Sequence, residues 1–84
     1  MNPENKKRYQ DAIICCDKAL QMNPVSFDAW NAKALSLYHM MSYKEAIECF
    51  DKCIALRPDT AQVAYKGKGS CLANLGLRFM QFKL

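Results

Sequence analysis

The sequence lacks the features of a membrane-spanning, secreted or catalytic protein. Lys, Asp or Glu interrupts each apolar run within a few residues, and no stretch approaches the roughly 20 apolar residues of a membrane-spanning helix. Met1 is followed by Asn, Pro and Glu rather than by a basic region and an apolar stretch, so we expect no signal peptide. His39 is the single histidine and has no obvious Ser or Cys nucleophile with an orienting acid, so we expect no enzymatic activity.

The charge distribution argues against a nucleic-acid surface. The net charge of +4 comes from basic residues near the two ends of the chain, whereas the middle is balanced. The sequence has no stripe of interleaved basic and aromatic residues, which is a pattern typical of nucleic-acid binding. We therefore expect the basic residues to form a solvated surface, with neither a nucleic acid nor a membrane as partner.

The five cysteines do not indicate a disulfide framework. Their number is odd, and all five fall within helical patterns, as expected of reduced thiols in a cytoplasmic protein. We expect Cys16 and Cys53 to pack in the core, and Cys15 and Cys49 to lie on the more exposed sides of their helices. Cys49 and Cys53 have the spacing of two metal ligands on one helix, but too few other ligands are near, so we expect neither a metal nor a cofactor.

A block of the sequence recurs 34 residues downstream. The residues identical in both copies are Tyr9, Ala12, Ile13, Cys15, Asp17, Lys18 and Pro24, which return as Tyr43, Ala46, Ile47, Cys49, Asp51, Lys52 and Pro58. A second block recurs at 35 residues, where Ala29, Trp30, Lys33, Ala34, Leu37 and Met40 are matched by Ala64, Tyr65, Lys68, Gly69, Leu72 and Leu75. A period of this length is typical of stacked helical repeats, in which each unit buries its apolar face against a neighbour.

Apolar residues at three- and four-residue spacing predict four helices joined by short turns. The predicted elements are a first helix over residues 4–22, a second helix capped by Ser26, a third that begins with a capping box of Ser42 and Glu45, and a fourth over residues 61–75 that Thr60 caps and Gly76 ends. Short connections between helices of this length imply antiparallel neighbours. We expect helices to approach closely at three small residues, Ala34, Ala46 and Gly69.

Residues 27–60 resemble a complete tetratricopeptide repeat. The residues that carry the resemblance, in the order typical of the family, are Trp30, Ala34, Leu37, Tyr43, Ala46, Phe50, Cys53 and Pro58. Lys33 and Lys68 stand where the family usually has leucine, and Cys53 stands where alanine is typical. The resemblance implies an all-α protein of antiparallel helix-turn-helix repeats, stacked as a short right-handed α-solenoid. It divides the single domain, residues 1–84, into a partial repeat (4–24), a complete repeat (27–60), a partial repeat (61–76) and an atypical tail (77–84).

The resemblance also implies a function. It predicts a non-catalytic protein–protein interaction module, a scaffold or adaptor that binds a peptide or helix of a partner protein in a concave groove lined by the first helix of each hairpin. The candidate partner-binding residues are Asp28, Asn31, Leu35, Tyr38, His39, Lys66, Ser70 and Asn74. Some members clamp a C-terminal carboxylate with Lys, Asn and Arg, but the matching positions here are Ala32, Val63 and Gly67. We therefore expect a mixed polar and aromatic groove rather than a carboxylate clamp.

Other interpretations remain open. Pentatricopeptide repeats are also helical hairpins with a period of about 35 residues, and arrays of them bind RNA. One complete repeat between two partial ones is also typical of a fragment of a longer array, or of a structural repeat that self-associates by covering its apolar ends with a second copy. Alternatively, the apolar residues Phe79, Phe82 and Leu84 pack back as an improvised cap on the fourth helix.

Overall fold

A computed structural model describes the backbone of residues 2–83 and the side chains of residues 2–76. The elements are α1 (Pro3–Met22), α2 (Phe27–His39), α3 (Tyr43–Leu56) and α4 (Gln62–Lys83), with a short 3-10 turn over Pro58–Thr60 between α3 and α4. The described residues contain no strand. The helices pack in a helix-turn-helix layout, which confirms the predicted all-α class.

The first two helices begin at side-chain caps. The Asn2 Oδ1 atom accepts a hydrogen bond of 2.9 Å from the backbone N–H of Glu4, at the start of α1. The Ser26 Oγ atom accepts one of 3.3 Å from the N–H of Ala29, at the start of α2. Each cap satisfies a backbone donor that has no partner within its helix. The predicted cap at Ser26 is confirmed.

The turn between α2 and α3 has a left-handed residue that is not glycine. Met41 has a φ of 64°, and its N–H donates to the carbonyl of Tyr38 over 3.0 Å. The N–H of Ser42 donates to the carbonyl of Leu37 over 2.8 Å, which completes the hydrogen-bond pattern of a Schellman motif. The Ser42 side chain makes no capping hydrogen bond within the described chain, so the predicted capping box with Glu45 is wrong.

The predicted ends of the fourth helix are also wrong. Thr60 does not cap it, because Thr60 lies in the 3-10 turn and α4 begins at Gln62. Gly76 does not end it, because none of the described glycines has a positive φ and the helix continues to Lys83. The residues after Gly76 include Leu, Arg, Met, Gln and Lys, which favour helix. None of the described helices, α4 included, combines the length and hydropathy needed to cross a lipid bilayer.

Small residues let the helices pack closely at the centre of the molecule. Consecutive helices pack against one another, and α2 also contacts α4. Ala34 and Ala46 are fully buried in the core between them, as predicted. Gly69 is exposed, and a Cβ added there would meet no described atom within 4 Å, so the predicted close approach at Gly69 is wrong. The close approach lies two residues earlier, at Gly67.

The same ion pair joins both pairs of consecutive repeats. In the first junction, which we define as the packing of α1 against α2, the Lys33 Nζ atom lies 2.7 Å from Asp17 Oδ1. In the second junction, the packing of α3 against α4, the Lys68 Nζ atom lies 2.7 Å from Asp51 Oδ1. The hydrogen bond to Asp17 raises the pKa of Lys33. The lysines that replace the usual leucine therefore link each repeat to the next by a charged hydrogen bond.

The cysteines differ in exposure according to how many helices surround them. Cys53 is fully buried and Cys15 is exposed, as predicted. Cys16 is only half-buried and lies outside the core cluster, so its predicted place in the core is wrong; α1 packs against α2 on one side only among the described helices. The prediction for Cys49 is wrong, because α3 lies between α2 and α4 and leaves Cys49 only 4% exposed. Burial raises the pKa of Cys49 to about 11, and it raises the pKa of Cys53 and of Cys71 as well.

Candidate binding groove

A cavity opens between α2 and α4. Its volume is about 250 Å³, and α3 closes it from behind. The lining residues are Leu35 and Tyr38 from α2, Phe50 from α3, and Val63, Lys66, Gly67 and Ser70 from α4. We call the surface between α2 and α4 the groove. Its lining is mostly apolar, with Lys66 and Ser70 as polar groups, which is the composition of a site for an apolar side chain.

Gly67 and Phe50 together determine the back wall of the groove. A Cβ built on Gly67 would lie 2.6 and 2.8 Å from the two Cε atoms of the Phe50 ring, which is closer than van der Waals contact allows. Phe50 is fully buried, so its ring has little room to move. Glycine is therefore required where α4 crosses the ring, and any larger residue would push α4 away from α3.

Four of the eight predicted groove residues line this cavity. They are Leu35, Tyr38, Lys66 and Ser70. Leu35 is exposed, so an apolar side chain faces water on the α2 side. The Tyr38 ring lies edge to face with Tyr43, with centroids 5.7 Å apart, which holds the tyrosine in place at the base of α3.

The other four predicted residues lie outside the cavity lining. Asp28 is exposed near the start of α2. The Oδ1 atom of Asn31 is buried and has no hydrogen-bond partner among the described residues. The His39 ring stacks on Tyr9 of α1, with centroids 5.1 Å apart and planes inclined by 12°. Asn74 donates a hydrogen bond of 2.8 Å to the backbone carbonyl of Ser70 within α4.

Three cavity residues, Val63, Phe50 and Gly67, are absent from the predicted set. Val63 is 56% exposed and forms the apolar edge on α4 opposite Leu35. Val63 matches one of the positions of the carboxylate clamp, and that match is a sequence signal that could have identified it. Phe50 was predicted as a core residue only. Its place at the back of the groove depends on the missing side chain at Gly67, which the sequence of α3 alone does not show.

The groove offers groups that can contact a ligand through apolar surface and hydrogen bonds. Its residues offer an apolar surface, one tyrosine hydroxyl, one serine hydroxyl and one ammonium group. Among the described residues, no cluster of three or more His, Cys, Asp or Glu side chains could hold a metal ion. The arrangement suits one apolar side chain of a ligand, with a hydrogen-bonding or acidic group next to it.

The chain belongs to the tetratricopeptide repeat family. The family model of this repeat matches residues 4–65, which is more than half of the chain. The match favours this family over the pentatricopeptide form that the period also allowed. Tetratricopeptide repeats are in general non-enzymatic modules of protein–protein interaction.

Two curated proteins are similar to this chain in sequence. The uncharacterized protein MJ0572 of Methanocaldococcus jannaschii is 36% identical over 61 residues, which cover 73% of this chain and 71% of that protein. The tetratricopeptide repeat-containing protein trd-1 of Caenorhabditis elegans is 23% identical over 53 residues, which cover 63% of this chain and 7% of that protein. No solved structure matches this chain.

Proposed function

We propose that the chain is a non-catalytic adaptor that binds a segment of a partner protein in the groove between α2 and α4. The observation that supports this proposal is the cavity of about 250 Å³ between the two helices, with Leu35 and Val63 exposed at its edges. A buried leucine or phenylalanine side chain contributes about 1.5–3 kcal/mol, so the cavity acts as an anchor for one such residue. Reduced thiols at all five cysteines are consistent with a cytoplasmic protein.

The partner segment carries an apolar residue next to an acidic one. The apolar residue enters between Leu35 and Val63, where it removes both exposed side chains from water. The acidic residue pairs with Lys66, which lies at the α4 side of the cavity. The net charge of +4 favours approach of an acidic segment over a basic one.

A peptide selection tests this function. A displayed library of random peptides is selected on the purified chain, and the affinity of recovered peptides is measured by fluorescence anisotropy. The Val63→Glu variant places a charge at the apolar edge of the cavity, and we expect it to weaken binding at least about tenfold. Lys66→Glu is expected to weaken acidic peptides and to spare neutral ones.

The Leu72→Glu variant is the matched control. Leu72 is 53% exposed on α4, nearly as much as Val63, but it is not part of the cavity lining. We expect peptides to bind Leu72→Glu and the unmodified chain with equal affinity. Equal affinity for Val63→Glu and the unmodified chain, or selection of no peptide, would contradict the proposed function.

A further inference from the structure

One face of α4 is exposed although its counterpart in α2 is covered. At an offset of 35 residues, Leu72 corresponds to Leu37 and Tyr65 to Trp30. Leu37 is 5% exposed, whereas Leu72 is 53% exposed and Tyr65 56%. We call the exposed surface the α4 open face, and its residues are Tyr65, Gly69 and Leu72. The repeat itself shows what kind of element fits this face, because α3 covers the equivalent face of α2.

The residues of α3 that face α2 identify the covering face. Four residues of α3 line a cavity together with Trp30, Lys33 and Leu37 of α2, and they are Glu45, Glu48, Cys49 and Lys52. Cys49 is 4% exposed in this contact. The Lys52 Nζ atom lies 6.0 Å from the centroid of the Trp30 ring, within the range of a cation–π contact.

Helix α1 carries the same covering face, and in α1 this face is exposed. At an offset of 34 residues the counterparts of the covering residues are Asp11, Ile14, Cys15 and Lys18, all of which are exposed. We call this surface the α1 open face. Cys15 and Lys18 are identical to their counterparts, while Ile14 replaces Glu48. Ile14 is 53% exposed, so the α1 open face is more apolar than the face with which α3 covers α2.

We propose that the α1 open face of one copy of the chain docks on the α4 open face of a second copy. The contact reproduces the packing of α3 on α2. Cys15 takes the place of Cys49, and it meets Leu72, which takes the place of Leu37. Lys18 reaches the Tyr65 ring as Lys52 reaches Trp30. This inference goes beyond the proposed function and does not depend on it, because the groove lies on a different face of α4.

The lengths of the two helices are compatible with this contact. Helix α3 begins at Tyr43, whereas α1 begins at Pro3, six residues before the counterpart Tyr9. Helix α2 ends at His39, whereas α4 continues past the counterpart Asn74 to Lys83. In an antiparallel pair the start of α1 lies beside the end of α4. Within one chain, the loop between α2 and α3 ends their contact. No such loop joins α1 of one copy to α4 of another, so these two helices can continue side by side beyond that point.

The contact joins two different surfaces, so it can repeat from copy to copy. Such head-to-tail contacts produce open chains unless the rotation between copies closes a ring. Each copy carries a net charge of +4, and mutual repulsion opposes the association. We therefore expect the association to strengthen with added salt, which screens this repulsion. An association held together by opposite charges would instead weaken with added salt.

Two variants that each block one face provide the decisive test. Leu72→Glu blocks the α4 open face, and Cys15→Glu blocks the α1 open face. Both residues are exposed in the single chain, so each variant is expected to fold, which circular dichroism checks. Sedimentation velocity is then measured for the unmodified chain, each variant alone, and an equimolar mixture of the two variants.

We expect the unmodified chain to show a concentration-dependent series of oligomers. Each variant alone is expected to be monomeric, with a dissociation constant raised at least about tenfold. The mixture is expected to form a 1:1 dimer, because each variant keeps one unblocked face. Val63→Glu, which changes α4 on its groove side, is expected to associate like the unmodified chain.

Three results would overturn the proposal. The first is an unmodified chain that stays monomeric at all concentrations, and the second is association of either variant alone. The third is a mixture that remains monomeric although the unmodified chain associates. None of these results bears on the proposed peptide binding, because Val63→Glu changes the groove whereas Leu72→Glu changes the α4 open face.

Discussion

The two junctions between repeats share an ion pair and differ in the size of the residues beside it. Asp17–Lys33 and Asp51–Lys68 have the same separation of 2.7 Å. Beside the second pair, the large Phe50 packs against the bare backbone of Gly67. The counterparts in the first junction are Cys16, at an offset of 34, and Ala32, at an offset of 35. The two junctions therefore share the charged contact. Beside it, the second junction has a large side chain facing a glycine, whereas the first has two small side chains.

Because of this difference, two junctions with the same helix packing contribute unequally to the free energy of unfolding. Phe50 is fully buried, while Cys16 is only half-buried. Burial of a phenylalanine contributes more than burial of a cysteine, because the apolar area removed from water is larger. We therefore attribute a larger share of the stability to the second junction than to the first.

Truncation of Phe50 and of Cys16 should show the largest difference in stability between the two junctions. Phe50→Ala leaves a cavity in the second junction, and we expect it to lower the free energy of unfolding by about 3–5 kcal/mol. Cys16→Ala in the first junction should cost about 1 kcal/mol or less, since it removes one partly exposed sulfur. Urea unfolding followed by circular dichroism measures both. Equal losses would contradict the comparison.

The glycine that faces Phe50 gives the second prediction. Gly67→Ala should lower the free energy of unfolding by about 1–3 kcal/mol, because the new Cβ overlaps the ring and displaces α4. Gly69→Ala lies in the same helix with open space around the added Cβ, and it should raise the stability by about 0.5–1 kcal/mol.

Thermal or urea unfolding of both glycine variants measures this pair of effects. The double variant Phe50→Leu with Gly67→Ala should lose less stability than the sum of the single losses, since the smaller side chain makes room for the Cβ. A Gly67→Ala variant as stable as Gly69→Ala would show that the ring does not constrain α4.

The buried thiol of Cys49 predicts a loss of stability at alkaline pH. Burial raises the pKa of Cys49 in the folded chain from 9.0 to about 11. The unfolded chain therefore loses this proton at a lower pH than the folded chain does. Stability is complete below pH 9 and falls as the pH rises towards 11, by at most about 1.4 kcal/mol per pH unit for this thiol.

Replacement of Cys49 by serine isolates this effect. Cys49→Ser removes the ionisable group, so its stability should fall less steeply between pH 9 and 11 than that of the unmodified chain. The slopes come from urea unfolding at a series of pH values, and identical slopes for Cys49→Ser and the unmodified chain would contradict the assignment.

The ion pairs should show the smallest effects and the greatest similarity. Asp17→Asn and Asp51→Asn each remove the charge from a carboxylate that is about half exposed. We expect each to cost about 0.2–1 kcal/mol, because water already screens these pairs, and the cost should shrink in high salt. Chemical unfolding at low and high salt measures both. A large difference between the two variants would mean that the shared ion pair is not equivalent in the two junctions.

The sequence predicts the helices because their apolar spacing and the prolines at 24 and 58 are local signals. It fails where the outcome depends on a neighbour. Gly76 has the same place in the repeat as Met41, yet the glycine continues a helix and the methionine adopts the left-handed turn. At Met41 the chain turns back and α3 packs against α2, whereas α4 continues as one helix through Gly76.

The candidate site was predicted in part for the same reason. Leu35, Tyr38, Lys66 and Ser70 lie on the groove sides of α2 and α4, which helical spacing within one helix can identify. The role of Gly67 could not be found in this way, because it depends on Phe50, which lies on α3. The predicted exposure of Cys49 failed because α3 has neighbours on two sides. The predicted cap formed by Phe79, Phe82 and Leu84 falls on residues whose side chains lie outside the described part of the chain.

Equivalent positions of the repeat differ in exposure according to which helix covers them, as Cys15 and Cys49 do. The most direct test is the alkylation rate of Cys15 and Cys49 in the unmodified chain, measured by mass spectrometry over a range of protein concentrations. In dilute solution we expect Cys15 to react rapidly and Cys49 slowly. With rising concentration, Cys15 should slow towards the rate of Cys49 as a second copy covers it. Equal rates in dilute solution, or a Cys15 rate that does not change with concentration, would contradict the account.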